Sequence, residues 1–282
     1  MNKTKRIALE KAALQIRMAV IEGTYNAKSG HPGGSLSIAD VLAYLYFEEL
    51  NIDPANPNWA DRDRFVLSKG HCAPALYGAL ANRGYFSVEE IKTLRHIGSM
   101  LQGHPCMTGT PGVDMSTGSL GQGISAAVGM ALAAKLDNKN YRTYAILGDG
   151  ELEEGQVWEA AMFASHKKLD NLCIVVDNNN LQIDGTLDEV TSPYPIPEKF
   201  AAFGWNVIEI DAHDLDQIEA AFAAARKCTD KPTAIIQKSV KGKGVSFMEN
   251  QVSWHGSAPN AEQYELAMAE LKAALAVVEQ EG

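Results

Sequence analysis

Two turns constrain this chain more than any other feature: Gly148-Asp149-Gly150 and, further on, Asn178-Asn179-Asn180. Residues 141–147 form a short, mostly apolar run that halts at Gly148, as a buried strand does on reaching the edge of its sheet. Val157, Ala160, Ala161 and Ala164 then recur at helical spacing, and residues 172–176 make a second unbroken apolar run, the mark of a strand covered on both faces. The pattern is strand, helix, strand. Such a unit returns by a right-handed crossover, so both strands end on one edge of a parallel sheet and the turns after them lie together.

Asp149 and Asn179 are 179 − 149 = 30 residues apart in sequence and become neighbours in this arrangement. They offer hard oxygens with no thiolate or imidazole in either turn, which suits Mg²⁺ and not Zn²⁺. Gly148 and Gly150 permit the close backbone approach that a diphosphate cradled by main-chain N–H groups requires. The crevice beyond the strand ends is where open α/β sheets bind ligands. The ordinary reading, that Gly, Asp and Asn are simply turn formers, stands beside this one on spacing alone.

The 282 residues, 46% of them hydrophobic, suffice for a substantial core, and we read residues 1–282 as a single α/β domain: a parallel sheet flanked by helices on both faces. A net charge of −10 argues against nucleic-acid and anionic-membrane surfaces. Cys72, Cys106, Cys173 and Cys228 form no CxxC and no metal-ligand spacing, so they read as reduced thiols of a cytoplasmic protein. The basic start is interrupted by Glu10, Lys11, Gln15 and Arg17 in amphipathic fashion, which is a helix over 6–22 and neither a signal peptide nor a membrane span.

Further helices are expected over 38–50, 87–96, 124–136, 214–226 and 261–280, and further strands over 64–69, 204–211 and 233–240. His31 sits between glycines in an exposed-looking turn, and a loop histidine is ordinarily solvated. His71 lies near a strand end and a helix start, where backbone N–H groups favour an anion. His104 is the candidate side chain of a long loop punctuated by glycine and proline. Glu151, Glu153 and Glu154 precede a helix and read first as dipole caps. His213 reads as flanking a helix, and Lys238, Lys241 and Lys243 read first as a solvated basic cluster, with a phosphate contact as the alternative.

A GDG followed about thirty residues later by an Asn pair resembles the thiamine-diphosphate signature. SGHPGGSLSIAD at 29–40, SKGHCAPALY at 68–77, QGHP at 102–105, STGSLGQG at 116–123 and HGSAPN at 255–260 are similar to transketolase motifs, in the same order and across nearly the whole chain. The resemblance implies thiamine diphosphate held through Mg²⁺, or another divalent cation such as Ca²⁺ or Mn²⁺, by Asp149, Asn179 and the Leu181 carbonyl. It implies cofactor contacts from His71, Gly118, Ser119, Leu120, Gly150 and His255. Catalytic roles fall to His31, His71, His104 and His255, and Glu154 matches a glutamate of the subunit interface. Ser119 departs from the proline that many members carry.

The implied reaction is transfer of a two-carbon ketol unit from a ketose phosphate to an aldose phosphate, as in the pentose phosphate pathway. The pyrimidine-domain motifs of full-length members are not found here. The chain therefore reads as the N-terminal subunit of a split transketolase, with a C-terminal partner subunit carrying the pyrimidine-binding domain, in a dimer of heterodimers. The alternatives are a related thiamine-diphosphate enzyme with another sugar, or a catalytically silent interaction subunit. The four motif histidines together with Asp149 and Asn179 favour an active subunit.

Overall fold

The computed structural model describes residues 1–281. Its centre is a five-stranded, all-parallel sheet in the order β1-β2-β3-β5-β4, formed by β1 (Arg64–Leu67), β2 (Thr143–Gly148), β3 (Leu172–Asn178), β4 (Asn206–Asp211) and β5 (Thr233–Lys238). The chain adds β2 and β3 in one direction, skips a place to lay β4 at the edge, and returns to insert β5. The registers pair Leu67 with Ile146, Gly148 with Asp177, and Asn178 with Lys238, so these strands finish along one edge.

Alternation along the strands divides the core. Phe65, Leu67, Tyr144, Ile146, Cys173, Val175 and Ile235 face one layer, while Val66, Ala145, Leu147, Ile174, Val176 and Ile236 face the other. The first layer holds α1 (Lys3–Ala27), α2 (Pro32–Leu36), α3 (Ala39–Tyr44) and α4 (Ala73–Arg83). The second is covered by α5 (Gln122–Leu136) and α6 (Gly155–His166). A short α7 (Leu187–Val190) follows β3, and α8 (Ile196–Ala202) adds Phe200 to the second layer. On the first, α9 (Leu215–Lys227) and α10 (Ala261–Gln280) complete the cover. Among the described residues no helix is long and apolar enough to cross a membrane.

Local chemistry sets the helix ends. Asn2 caps α1 by accepting from the Lys5 N–H at 2.9 Å, and Lys28 closes it in the left-handed region. That pair of caps makes α1 longer at both ends than the apolar pattern over 6–22 indicates. The helix expected over 38–50 is α3 followed by a wider π-helical turn, Leu45–Glu49. The helix expected over 87–96 is a 3₁₀ segment, Val88–Thr93; it buries Ile91 and Leu94, but Val88 in its first turn stays 49% exposed. All four cysteines are free thiols, with Cys72 and Cys173 buried.

Candidate active site

Because β1, β2, β3 and β5 end together, the turns after them enclose a cavity of about 300 Å³, within the range of small-molecule sites. His31, His71, His255, Asp149, Asn179 and Lys241 line it, with Gly118, Leu120, Gly150 and Leu181. Two glycines make this closeness sterically available. A Cβ on Gly70 would lie 2.7 Å from the Gly118 nitrogen, and one on Gly123 would lie 2.6 Å from the Ser68 Cα. The SKGH turn and the start of α5 thereby touch backbone to backbone.

Three imidazoles from distant parts of the chain converge. Ring centroids are 5.2 Å apart for His31 and His71, 5.6 Å for His31 and His255, and 5.3 Å for His71 and His255. Burial, then the charge of Arg95, lowers His31 to about 4. Burial and the adjacent Lys241 ammonium lower His255 to about 3, and burial with Lys69 takes His71 well below its usual range. All three are neutral bases at physiological pH. His31 Nδ1 is buried and has no hydrogen-bond partner among the described residues, so a polar atom of a bound molecule would satisfy it.

Opposite the histidines lie the oxygens. Asp149 is 3% exposed, and burial together with the nearby Asp177 charge pushes its carboxyl up to about 6. Its Oδ1 accepts from the Gly150 N–H at 2.9 Å and its Oδ2 from the Asn180 N–H at 2.6 Å. Asn179 Oδ1 accepts from the Leu181 N–H at 3.1 Å, while its Nδ2 donates to Asp177 Oδ2 at 3.1 Å. A buried carboxylate whose charge is disfavoured by burial and Asp177, an amide oxygen and a carbonyl are a hard-cation donor set, and they fit Mg²⁺ better than a soft metal. Among the described residues no cluster of three His, Cys, Asp or Glu side chains could hold a metal without a ligand's help.

Beneath the cavity a buried ion pair holds the strand ends. Lys69 Nζ lies 2.6 Å from Asp177 Oδ2 and donates to the Gly34 carbonyl at 2.8 Å. Asp177 also accepts from Ser37 at 2.7 Å, Gln237 at 3.2 Å and Ser239 at 2.5 Å. Although burial opposes ionisation, the Lys69 charge and these donors hold Asp177 down at about 2. The pair joins β1, β3 and β5 to the α2 turn under His31.

Sequence reasoning missed or misassigned five residues that hold the site: Lys69, Asp177, Lys241, Glu151 and His213. Lys69 and Asp177 stand at the ends of apolar strands, which was the available signal. Lys241 reads as solvated in the sequence but is 2% exposed; its Nζ donates to the Leu181 carbonyl and to His255 Nδ1, both at 2.9 Å. The correction follows from topology, since the turn after β5 folds into the cavity. Glu151 is also no helix cap: it is 2% exposed and bonded to three chain segments. His213 does more than flank α9, whose cap is Asp214. Its Nδ1 lies 2.7 Å from Asp40 Oδ2 and its Nε2 accepts from the Val240 N–H at 3.0 Å, holding the loop that carries Lys241.

Three sequence candidates lie outside the cavity wall. His104 packs beside Gly118, where an added Cβ would sit 3.1 Å from its ring, and it lines an adjoining shallow pocket with Arg95 and Gln102. Arg95 donates to Ser29 Oγ at 2.7 Å, and burial followed by its charge lowers His104 as it does His31. Ser119 is exposed, with Gly118 and Leu120 facing inward on either side. Glu154 is exposed at the start of α6, with no side-chain cap bond.

A parallel α/β sheet whose strand ends gather a hard-oxygen set, a glycine cradle and neutral histidines defines a domain for a diphosphate cofactor. Residues 9–276 match the family model described as transketolase, thiamine diphosphate binding domain, and the chain belongs to that family. It is 48% identical over 268 residues to a 6-deoxy-6-sulfo-D-fructose transketolase subunit of a Clostridium species, covering 95% of this chain and 98% of the relative. It is 44% identical over 273 residues to an apulose-4-phosphate transketolase subunit of Phocaeicola vulgatus, covering 97% of each. The solved transketolase of Campylobacter jejuni superposes with a TM-score of 0.89 at 33% identity, over 100% of this chain and 46% of that one. The chain thus spans nearly the whole of the subunit relatives and less than half of that solved enzyme. Its cofactor is thiamine diphosphate, and it is an N-terminal subunit of the ketol-transferring transketolase type.

Proposed function

We propose that this chain works as one domain with a second chain that supplies the pyrimidine-binding half, the two assembling as a dimer of heterodimers. Together they pass a two-carbon ketol unit from a ketose to an aldose. The observation that carries the proposal is the convergence of three neutral imidazoles, one with a ring nitrogen that finds no partner among the described residues, on a cavity whose opposite wall is Asp149, Asn179 and Leu181. Asp149, Asn179 and the Leu181 carbonyl would hold Mg²⁺, and Gly150 with Lys241 the diphosphate. When bound, the cofactor supplies the carbon nucleophile and electron sink for breaking the ketose carbon–carbon bond.

The chain's own residues then bind and move protons. His31 and His255 accept protons from substrate hydroxyls and return them, a task for which neutral imidazoles are prepared. His71 supports cofactor and substrate together. His104, at the rim, holds donor hydroxyls, exposed Glu154 faces the neighbouring subunit, and Ser119 offers its main chain beside the inward-facing Gly118 and Leu120. Two relatives are named for a sulfonated and a phosphorylated sugar, and we assign this chain a ketose with an anionic end, of the sugar-phosphate class. The acidic net charge leaves no role for nucleic acid or an anionic membrane, and the free thiols suit the cytoplasm.

Affinity purification of the tagged chain from its native cells tests this. A stoichiometric partner, with ketol transfer that requires thiamine diphosphate and a divalent cation, is the expected outcome. A chain that purifies alone and binds no thiamine diphosphate would overturn it.

A further inference from the structure

Glu151 is buried, yet its carboxylate belongs to none of the roles above. Its Oε1 accepts from Ser68 Oγ at 2.5 Å and from the Gly121 N–H at 2.9 Å; its Oε2 accepts from the Gly148 N–H at 3.0 Å. The three donors sit on three separate segments. Ser68 begins the turn that carries Lys69, Gly70 and His71; Gly121 closes the turn that carries Gly118 and Leu120; and Gly148 precedes Asp149 and Gly150. Thr117 Oγ1 also bonds the Leu67 carbonyl at 2.7 Å, so the first two turns have a tie of their own. The hydrogen bonds of Glu151 join the turn before α5 to the turn that bears Asp149.

We propose that Glu151 is a positioning residue: one carboxylate that fixes the spacing of the three turns forming the cofactor cradle. A carboxylate is suited to this because it is acceptor-only and can take all three donors at once. Glutamine has the same shape but one acceptor oxygen and two N–H donors. Ser68 can rotate its hydroxyl to accept, whereas a backbone amide cannot. In either amide orientation, therefore, one glycine N–H, that of Gly121 or that of Gly148, faces a donor and loses its partner. The proposal rests on the cofactor reading only for its consequence, since the clamp itself is a property of this chain.

Amide hydrogen exchange on the full chain, wild type against E151Q and S68A, tests the clamp without any ligand. In E151Q the Gly121 or the Gly148 amide should exchange about tenfold faster, as expected for loss of a buried backbone hydrogen bond, while the amides of β3 and β5 keep their protection. In S68A both glycine amides should remain protected. Unchanged protection of both glycines in E151Q, or equal loss of it in S68A, would overturn the clamp. With the partner subunit present, E151Q should raise the apparent KM for thiamine diphosphate roughly tenfold and leave kcat at saturating cofactor in place. A fall in kcat with KM unchanged would overturn the positioning role. Failure of the wild-type complex to bind thiamine diphosphate would instead sink the functional proposal, and the exchange result would still decide the clamp.

Discussion

The ammonium of Lys241 sits 2.9 Å from the carbonyl oxygen of Leu181 and 2.9 Å from His255 Nδ1, joining the metal side of the cavity to its histidine side. Burial lowers this lysine to about 8, and no carboxylate bonds it directly among the described residues, though Asp149 and Asp177 act on it from a distance. It is a cation placed where a diphosphate would stabilise it. Lys241→Met should weaken thiamine diphosphate binding by about 10- to 100-fold, the range for a buried charged hydrogen bond. Titration calorimetry at saturating Mg²⁺ measures this, and an unchanged dissociation constant would remove Lys241 from the site.

Asp149 presents the opposite case. Burial and Asp177 disfavour its charge, so the ionised carboxylate lowers the stability of the fold above its raised pKa. Asp149→Asn removes that charge at the loss of one acceptor. The variant should therefore be no less stable than wild type in thermal unfolding without ligand at pH 8, and it should lose Mg²⁺-dependent cofactor binding. A clear drop in stability together with retained binding would contradict both halves of the argument.

Lys69 and Asp177 are a fully desolvated pair, 2% and 0% exposed in their side chains. Lys69→Met leaves a carboxylate buried without its counter-charge and should cost about 3–5 kcal/mol. Adding Asp177→Asn should restore part of that loss, because Ser37 and Ser239 face different oxygens of residue 177, so one hydroxyl can donate to the amide oxygen while the other turns to accept from the amide NH₂. Urea unfolding of the two single variants and the double variant gives the coupling; strict additivity would mean that the pair is not a unit.

The sheet was legible in the sequence because buried parallel strands are short unbroken apolar runs, and residues 141–147 and 172–176 are of that kind. The placement of Gly148, Asp149 and Asn179 around the cavity was legible because the turns after parallel strands gather at one edge of the sheet. Other residues are specified by tertiary placement alone. Lys241 reads as a surface lysine until the turn after β5 is seen folding inward, and Glu151 reads as a helix-dipole acid until its three donors are seen arriving from residues 68, 121 and 148. In the same way, the extra turns of α1 come from caps outside its apolar stripe, and Val88 is exposed because its 3₁₀ turn begins at the surface.

The three histidines also set a pH dependence of stability. In the unfolded chain each titrates near the ordinary value of about 6.5. In the folded chain burial keeps His31 neutral down to about 4 and His255 down to about 3, with His71 also displaced downward. Between those values the unfolded state binds more protons than the native state, so unfolding becomes easier as pH falls, and stability rises with pH across the same window. Urea midpoints should accordingly decline steadily from pH 7 to pH 4. His31→Gln and His255→Gln should each flatten that decline, since a side chain that does not titrate contributes nothing to the difference. A slope unaffected by both substitutions would show that these imidazoles are not held neutral by the fold, and with it would fall the argument that they meet substrate as bases.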